Sequence, residues 1–229
     1  MRLDHLSYAA GPEGLAACVQ RLGARLGAGF TDGGLHPRFG TRNFVLPLAG
    51  GCYVEVVEAL DHPSAESAPF GRAVKARTAA GGGWLAWVVR LDDIAAAEAR
   101  LGRPAVDGHR RRPDGVDLRW RQIGVLDTTA DPQLPFFIQW LSDAGEHPSD
   151  GGSAIALSAL VIAGDHTRVE RYLDANPAQP LEDITVEWLA AEAPPAGETG
   201  AAGPDASSST DTGLVRAVFT TPQGDVVID

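Results

Sequence analysis

The sequence predicts an α+β protein built from tandem β-α-β-β-β modules, two paired over residues 1–145 and a third, partial and divergent one over 146–229. A stretch of sequence recurs at a fixed offset. Each copy reads as an apolar strand, a turn and an amphipathic helix, and strand-like runs follow each copy.

The repeat pairs residues 5–23, HLSYAAGPEGLAACVQRLG, with residues 84–102, WLAWVVRLDDIAAAEARLG. Aligning the Arg-Leu-Gly that ends each copy sets the offset at 79 residues. In the first copy Pro12 suits an opening helical turn, and Leu15, Val19 and Leu22 recur at helical spacing. In the second, Asp92 or Asp93 can cap a helix that places Ile94, Ala97 and Leu101 on one face. Gly23 and Gly102 fall where a helix end favours a residue tolerant of left-handed geometry. The runs 43–48 and 52–57 read as strands joined through Gly50-Gly51, and 116–123 and 135–140 read as their counterparts.

The third unit opens on a strand-like run over 156–162, and Asp165 can cap a helix through Val169, Tyr172 and Leu173 to Asn176-Pro177. Residues 184–189 and 215–220 alternate as strands, with a disordered loop expected near 193–213, where Ala, Gly, Pro, Ser and Thr dominate. No histidine lies near the opening strand, so this unit is expected to be structural.

A net charge of −11 and a pI near 4.9 leave no positive field to attract phosphates, which excludes a general nucleic-acid binder. The run Arg110-Arg111-Arg112-Pro113-Asp114-Gly115 reads as a solvated turn, or as a local attractant for a substrate carboxylate or phosphate. Cys18 and Cys52 form no metal-type pair and read as reduced core thiols, and neither a signal peptide nor an apolar span is evident; a cytoplasmic protein of a GC-rich bacterial genome is expected.

Among polar residues, Glu55 stands out. It lies within Tyr53-Val54-Glu55-Val56-Val57, where a buried carboxylate demands a cation, a hydrogen-bonding partner or a raised pKa. Alternation puts Tyr53, Glu55 and Val57 on one face; pairing with Arg119 or Arg121 across the sheet is the plain alternative. His5 sits among apolar residues of the first strand, either as a satisfied polar group or as a functional one. His36 lies in a glycine-rich loop before Pro37 and reads as exposed, and His62 as a turn cap. Trp84, Trp87, Trp120 and Trp140 all fall on second-module strands, some packing the core and others walling a pocket.

Several stretches, in order, resemble the glyoxalase-like branch of the vicinal oxygen chelate superfamily: Leu3-Asp4-His5-Leu6, Gly34-Leu35-His36-Pro37 through Gly40-Thr41-Arg42-Asn43, Tyr53-Val54-Glu55, Gly81-Gly82-Gly83-Trp84, Arg112-Pro113-Asp114-Gly115 and Asp131-Pro132-Gln133-Leu134-Pro135-Phe136-Phe137. The resemblance covers about residues 1–145 and implies paired modules curled into a cup-shaped mixed sheet. It also implies metal ligands from the first and last strand of each module, matching His5 and Glu55 here. At the third position the repeat offset gives Trp84, which cannot coordinate, and on the last strand Gln139 is the remaining donor. His5, Glu55 and Gln139 could thus hold one divalent ion, iron, zinc or manganese, or the cup works without metal. His36 becomes a candidate for closing over a ligand, with Thr41 and Asn43 supplying hydrogen bonds; Tyr53, Trp84, Arg119 and Gln139 complete the substrate-binding set.

Two functions follow from the resemblance. One is a lyase, isomerase or dioxygenase acting on a carbonyl- or vicinal-oxygen-bearing small molecule, with His5 and Glu55 catalytic and Glu55 as general base. The other is a non-catalytic binding or sequestering protein of the bleomycin-resistance type, favoured by the incomplete ligand set. Either takes a small-molecule ligand, engages neither nucleic acid nor membrane, and is a monomer or homodimer.

Overall fold

The computed structural model describes residues 1–174, 181–190 and 212–229. Its first module runs β1 (Arg2–Ala9), α1 (Leu15–Leu26), β2 (Thr31–His36), β3 (Thr41–Pro47) and β4 (Tyr53–Ala59). Two helices, α2 (Pro63–Ser67) and α3 (Pro69–Ala79), lead to the second module: β5 (Gly83–Arg90), α4 (Ala95–Leu101), β6 (Val106–Arg111), β7 (Asp117–Ile123), α5 (Val125–Ala130) and β8 (Phe136–Trp140). Each module orders its strands alike, first-fourth-third-second, with the first and fourth parallel. The two join through antiparallel β1 and β5, and the cup closes into an eight-stranded barrel in the order β1-β4-β3-β2-β6-β7-β8-β5. The β2–β6 seam rests on one pair, Leu35 and Arg111.

Strands β2 and β6 are the two members of this barrel that the sequence does not mark as strands, reading a loop around His36 and a turn from Arg110. Thr-Asp-Gly-Gly-Leu-His and Val-Asp-Gly-His-Arg-Arg lack the β-branched and aromatic residues that mark strands, and neighbouring strands impose the conformation instead. The consequence is large, because these strands carry His36 and Arg110 inward. The helices α2 and α3, not anticipated either, bring Phe70 to the barrel interior. His62 does cap α2, accepting from Ser64 N at 3.1 Å.

The repeat marks α1 and α4 correctly but misplaces the end of the first. α1 continues past Gly23 to Leu26, and Gly27, at φ 70°, takes the left-handed cap. Gly23 is required for a different reason: a Cβ there would lie 2.7 Å from the carbonyl oxygen of Ala28. In the second copy Gly102 caps α4 as expected, at φ 66°, and Asp93 accepts from Ala95 N at 2.9 Å.

The remaining elements are β9 (Ala156–Ala163), α6 (His166–Leu173), β10 (Thr185–Leu189), β11 (Gly213–Thr221) and β12 (Gly224–Ile228), with Asp165 capping α6 through Thr167 N at 2.9 Å. Their sheet has the order β10-β9-β11-β12. Here the opening strand pairs in parallel with the next one through α6, unlike either barrel module. The expected loop near 193–213 lies almost wholly outside the described residues, as does the helix end at Asn176-Pro177. This sheet packs on the barrel through a shared apolar layer containing Leu6, Leu22, Trp87, Leu160 and Phe219. A parallel bridge between Ala49 and Ala156 fastens it further.

Cys18 and Cys52 are buried and unpaired, and burial pushes both thiols up, Cys52 to about 11. Among the described residues, no helix is long and apolar enough to cross a membrane.

Candidate active site

The barrel interior holds a narrow cavity of about 30 Å³. Its polar lining is formed by His5, His36, Asn43, Glu55, Arg110 and Gln122, and its aromatic and aliphatic lining by Phe39, Tyr53, Phe70, Trp120, Phe136, Ile138 and Trp140.

An irregularity in β1 builds the centre of the polar lining. Leu3 pairs with Val89 but His5 pairs with Val88, so β1 advances two residues against one on β5 and Asp4 is the extra residue of a bulge. Leu3 and Leu6 can therefore both face the apolar layer, while the Asp4 carboxylate lies beside the His5 ring. Asp4 is fully buried and accepts from His5 Nδ1 at 2.6 Å, from Trp140 Nε1 at 2.9 Å and from His147 Nε2 at 3.1 Å. Ser149 N donates to His147 Nδ1, which leaves Nε2 of that ring as the protonated nitrogen. Arg90 Nε is an ion-pair partner of Asp4 at 3.3 Å, though its N–H is not aimed at the carboxylate. Burial pushes the Asp4 carboxyl up, but hydrogen bonds from His147 and His5 outweigh it and hold the group well below the usual carboxylate range.

With Nδ1 committed to Asp4, His5 presents Nε2 to Glu55, 3.7 Å from Oε1. The ring stacks on Tyr53 with centroids 4.6 Å apart. Glu55 is itself held: Ser7 Oγ donates to Oε1 at 2.6 Å and Asn43 Nδ2 to Oε2 at 2.7 Å. Burial raises its pKa, and the neighbouring His5 and His36, with those two donors, bring it below the ordinary value. Neither Arg119 nor Arg121 reaches it. Arg119 pairs with Asp117 on the surface, and Arg121 pairs with Glu98.

His36 is buried rather than exposed, its Nδ1 2.9 Å from Thr41 Oγ1, and burial pulls its pKa down to about 3. Thr41 does not line the cavity and acts only on the His36 ring. Gln122 Oε1 accepts from Trp120 Nε1 at 2.8 Å; because indole is only a donor, the Gln122 amide N–H groups remain available toward the cavity.

Three residues expected at the site lie elsewhere. Trp84 is on the far face of β5: Ser7 pairs with Ala86 and Tyr8 with Trp84, so Leu85 is the extra residue of a second bulge. That bulge turns Trp84 away from the Ala86 and Val88 face, and its indole donates to Ile228 O at 3.1 Å under the second sheet. Gln139 points outward because Phe136, Ile138 and Trp140 take the inward positions of β8; it bonds Ile94 N at 3.2 Å and Asp92 O at 2.8 Å. Arg119 is exposed on β7.

The metal that the fold implies finds a poor donor set. His5 and Glu55 converge, but with Gln139 turned outward no group of three or more His, Cys, Asp or Glu side chains arranged to hold a metal ion occurs among the described residues. Protein-bound catalytic ions of this type take at least three protein ligands. The residues present do not fit the group.

Sequence reading missed Asp4 as a site residue, although it lies in the Leu3-Asp4-His5-Leu6 stretch, and missed His147, Gln122 and the inward course of Arg110. The alternation of Trp120, Gln122 with Leu118 on β7 was the available signal for Gln122.

The glyoxalase-like domain model matches residues 3–175. A search of curated proteins gave no match. Among solved structures the chain is similar to a hypothetical protein from Staphylococcus aureus, at 13% identity over 76% of each chain with a TM-score of 0.57, a likeness of fold alone. It is more loosely similar to methylmalonyl-CoA epimerase from Mycobacterium tuberculosis, at 16% identity over 61% of this chain and 86% of that one, TM-score 0.40. A methylmalonyl-CoA epimerase in complex with methylmalonyl-CoA and NH4+ gives 20% identity over 64% and 98%, TM-score 0.43. With three quarters of its length matched by that one model and its barrel formed from two modules of the same strand order, the chain belongs to the glyoxalase-like domain family, within the vicinal oxygen chelate superfamily.

Proposed function

We propose that this protein is an enzyme that moves a proton at a carbon beside a carbonyl group of a small molecule held in the barrel. The Asp4–His5 pair is the observation that carries this reading. A buried carboxylate that accepts from Nδ1 fixes the imidazole tautomer and leaves Nε2 as the acceptor nitrogen facing the cavity. Glu55, expected from the sequence to be the base, suits that role less: its oxygens already accept from Ser7 and Asn43, and its pKa is lowered.

In this mechanism the substrate lies between the aromatic lining and His5. His5 Nε2 takes the proton from the carbon next to the carbonyl. The C–H electron pair becomes the new C=C bond, and the carbonyl π pair moves onto oxygen to give an enolate. The Gln122 amide N–H donates to that oxygen. Asp4 and Glu55 flank the imidazolium that forms and balance its charge. Return of the proton, to the same or the opposite face, restores His5 for the next turnover. No step requires a metal.

The test is deuterium incorporation from D2O, followed by proton NMR, using phenylacetone and phenylpyruvate as probes. The expected result is exchange at the carbon beside the carbonyl in the parent protein and its loss by 10²-fold or more in His5→Gln, the range attributed to general acid–base catalysis. Binding of either probe with no exchange above buffer would replace this reading by the sequestering one, which the predominance of aromatic wall favours.

A further inference from the structure

We infer that the ligand of this cavity is a small carboxylate with a flat apolar body, and that Arg110 is its anchor. The inference rests on the proposed use of the barrel as a substrate site and names the class of substrate.

Arg110 is 3% exposed, on β6, and lines the cavity. A guanidinium carries five N–H donors and cannot lose its charge in a protein. Here one donor is satisfied by a neutral group, Nη1 to Asn43 Oδ1 at 3.2 Å. The buried Nε has no hydrogen-bond partner, and among the described residues no carboxylate lies within ion-pair distance. Burying an unpaired cation this deeply is strongly unfavourable, so such groups await a counter-ion. The nearby acids do not provide one. Glu55 is engaged by Ser7 and Asn43, and Asp32 pairs with Arg42 on the surface. Burial accordingly lowers the Arg110 pKa.

The placement is built rather than incidental. Asn43 connects the two charges, donating to Glu55 with its amide nitrogen and accepting from Arg110 with its oxygen, so neither can shift alone. Gly33 on β2 leaves the space they occupy: a Cβ there would lie 2.1 Å from Asn43 Oδ1 and 2.8 Å from Arg110 Nη1. A planar fork of donors matches a carboxylate in bidentate geometry. Phe39, Phe70, Trp120 and Phe136 line the same cavity and give it apolar surface, which suits a ring or short acyl group.

Calorimetric titration of the parent protein with phenylacetate and with its neutral isostere phenylacetamide tests this directly. Phenylacetate is expected to bind at least tenfold more tightly. That preference should disappear in Arg110→Met and be partly retained in Arg110→Lys, whose ammonium keeps charge without the fork. Should Arg110→Met fail to fold, Arg110→Gln serves the same comparison. Equal affinity for acid and amide in the parent protein, unchanged preference in the variants, or no binding of phenylacetate, benzoate or phenylpyruvate at millimolar concentration would each overturn the inference. The readout is separate from catalysis: carboxylate binding without deuterium exchange would overturn the proposed proton transfer and leave the anchor standing, whereas exchange of phenylacetone without carboxylate preference would do the reverse.

Discussion

Asp4 Oδ1 lies 2.6 Å from Nδ1 of His5, the next residue in the chain, inside a strand where consecutive side chains ordinarily point to opposite faces. The bulge at Asp4 makes the contact possible. It places a fully buried carboxylate against three donors and an arginine, and it sets which nitrogen of His5 faces the cavity.

Asp4→Asn should therefore be costly to the fold as well as to the site. It leaves Arg90 and the two histidines facing a neutral amide, and loss of one partner in a buried ionic cluster typically costs about 3–5 kcal/mol. Urea unfolding at pH 7 measures this. The same variant tests the pH dependence. A carboxyl whose folded pKa is depressed contributes stability that is complete above its unfolded pKa and lost as pH falls toward the folded one. The gap between parent and Asp4→Asn should thus narrow as pH falls below about 4, the ordinary Asp value.

His36 gives the opposite kind of linkage. Buried neutral with a pKa of about 3, it binds no proton in the folded state where the unfolded chain binds one, below the ordinary histidine value. Protons then favour unfolding, and stability is lost as pH falls from 6.5 toward 3. Relative to His36→Gln, the parent should lose about 1.6 kcal/mol between pH 6.5 and pH 5, the slope approaching about 1.4 kcal/mol per pH unit once the unfolded histidine is fully protonated. A pH-independent difference in urea midpoints would show that His36 charges freely in the fold.

Trp84→Ala should separate stability from ligand binding. The indole packs beneath the second sheet and bonds Ile228 O, so its removal should cost about 3–5 kcal/mol in unfolding free energy. Affinity for phenylacetate should stay within twofold of the parent. A tenfold loss with the fold intact would return Trp84 to the binding site.

Gly33→Ala probes the space around Arg110 without touching its charge. The added methyl collides with Asn43 Oδ1 and Arg110 Nη1, and one of them must move. Phenylacetate should bind at least fivefold more weakly by calorimetry, with phenylacetamide little changed. Unaltered phenylacetate affinity would mean that the anchor tolerates displacement.

The limits of sequence reading here were physical. The 79-residue repeat locates both modules because strand and helix patterns survive divergence, and alternation puts Tyr53 and Glu55 on the cavity face. The same arithmetic fails at Trp84, because the Leu85 bulge reverses the face of every residue before it. At Gln139 chemistry overrode alternation: the polar residue attracted notice, while Ile138 holds the inward position. Arg110 and His36 drew functional readings from the sequence, but their burial on strands did not, because those strands contain glycine and charge in place of strand-forming residues, and only pairing with β7 and β3 makes them strands. Asp4 was invisible as a site residue, since a strand bulge carries no signature in a single sequence.

Deuterium exchange of phenylacetone in D2O, compared between the parent protein, His5→Gln and Asp4→Asn, addresses the central claim most directly. With His5 as the base and Asp4 orienting it, the parent should exchange the methylene and methyl hydrogens above the buffer rate, His5→Gln should fall to that rate, and Asp4→Asn should retain a small fraction with an altered pH profile. Exchange in His5→Gln equal to the parent would contradict it.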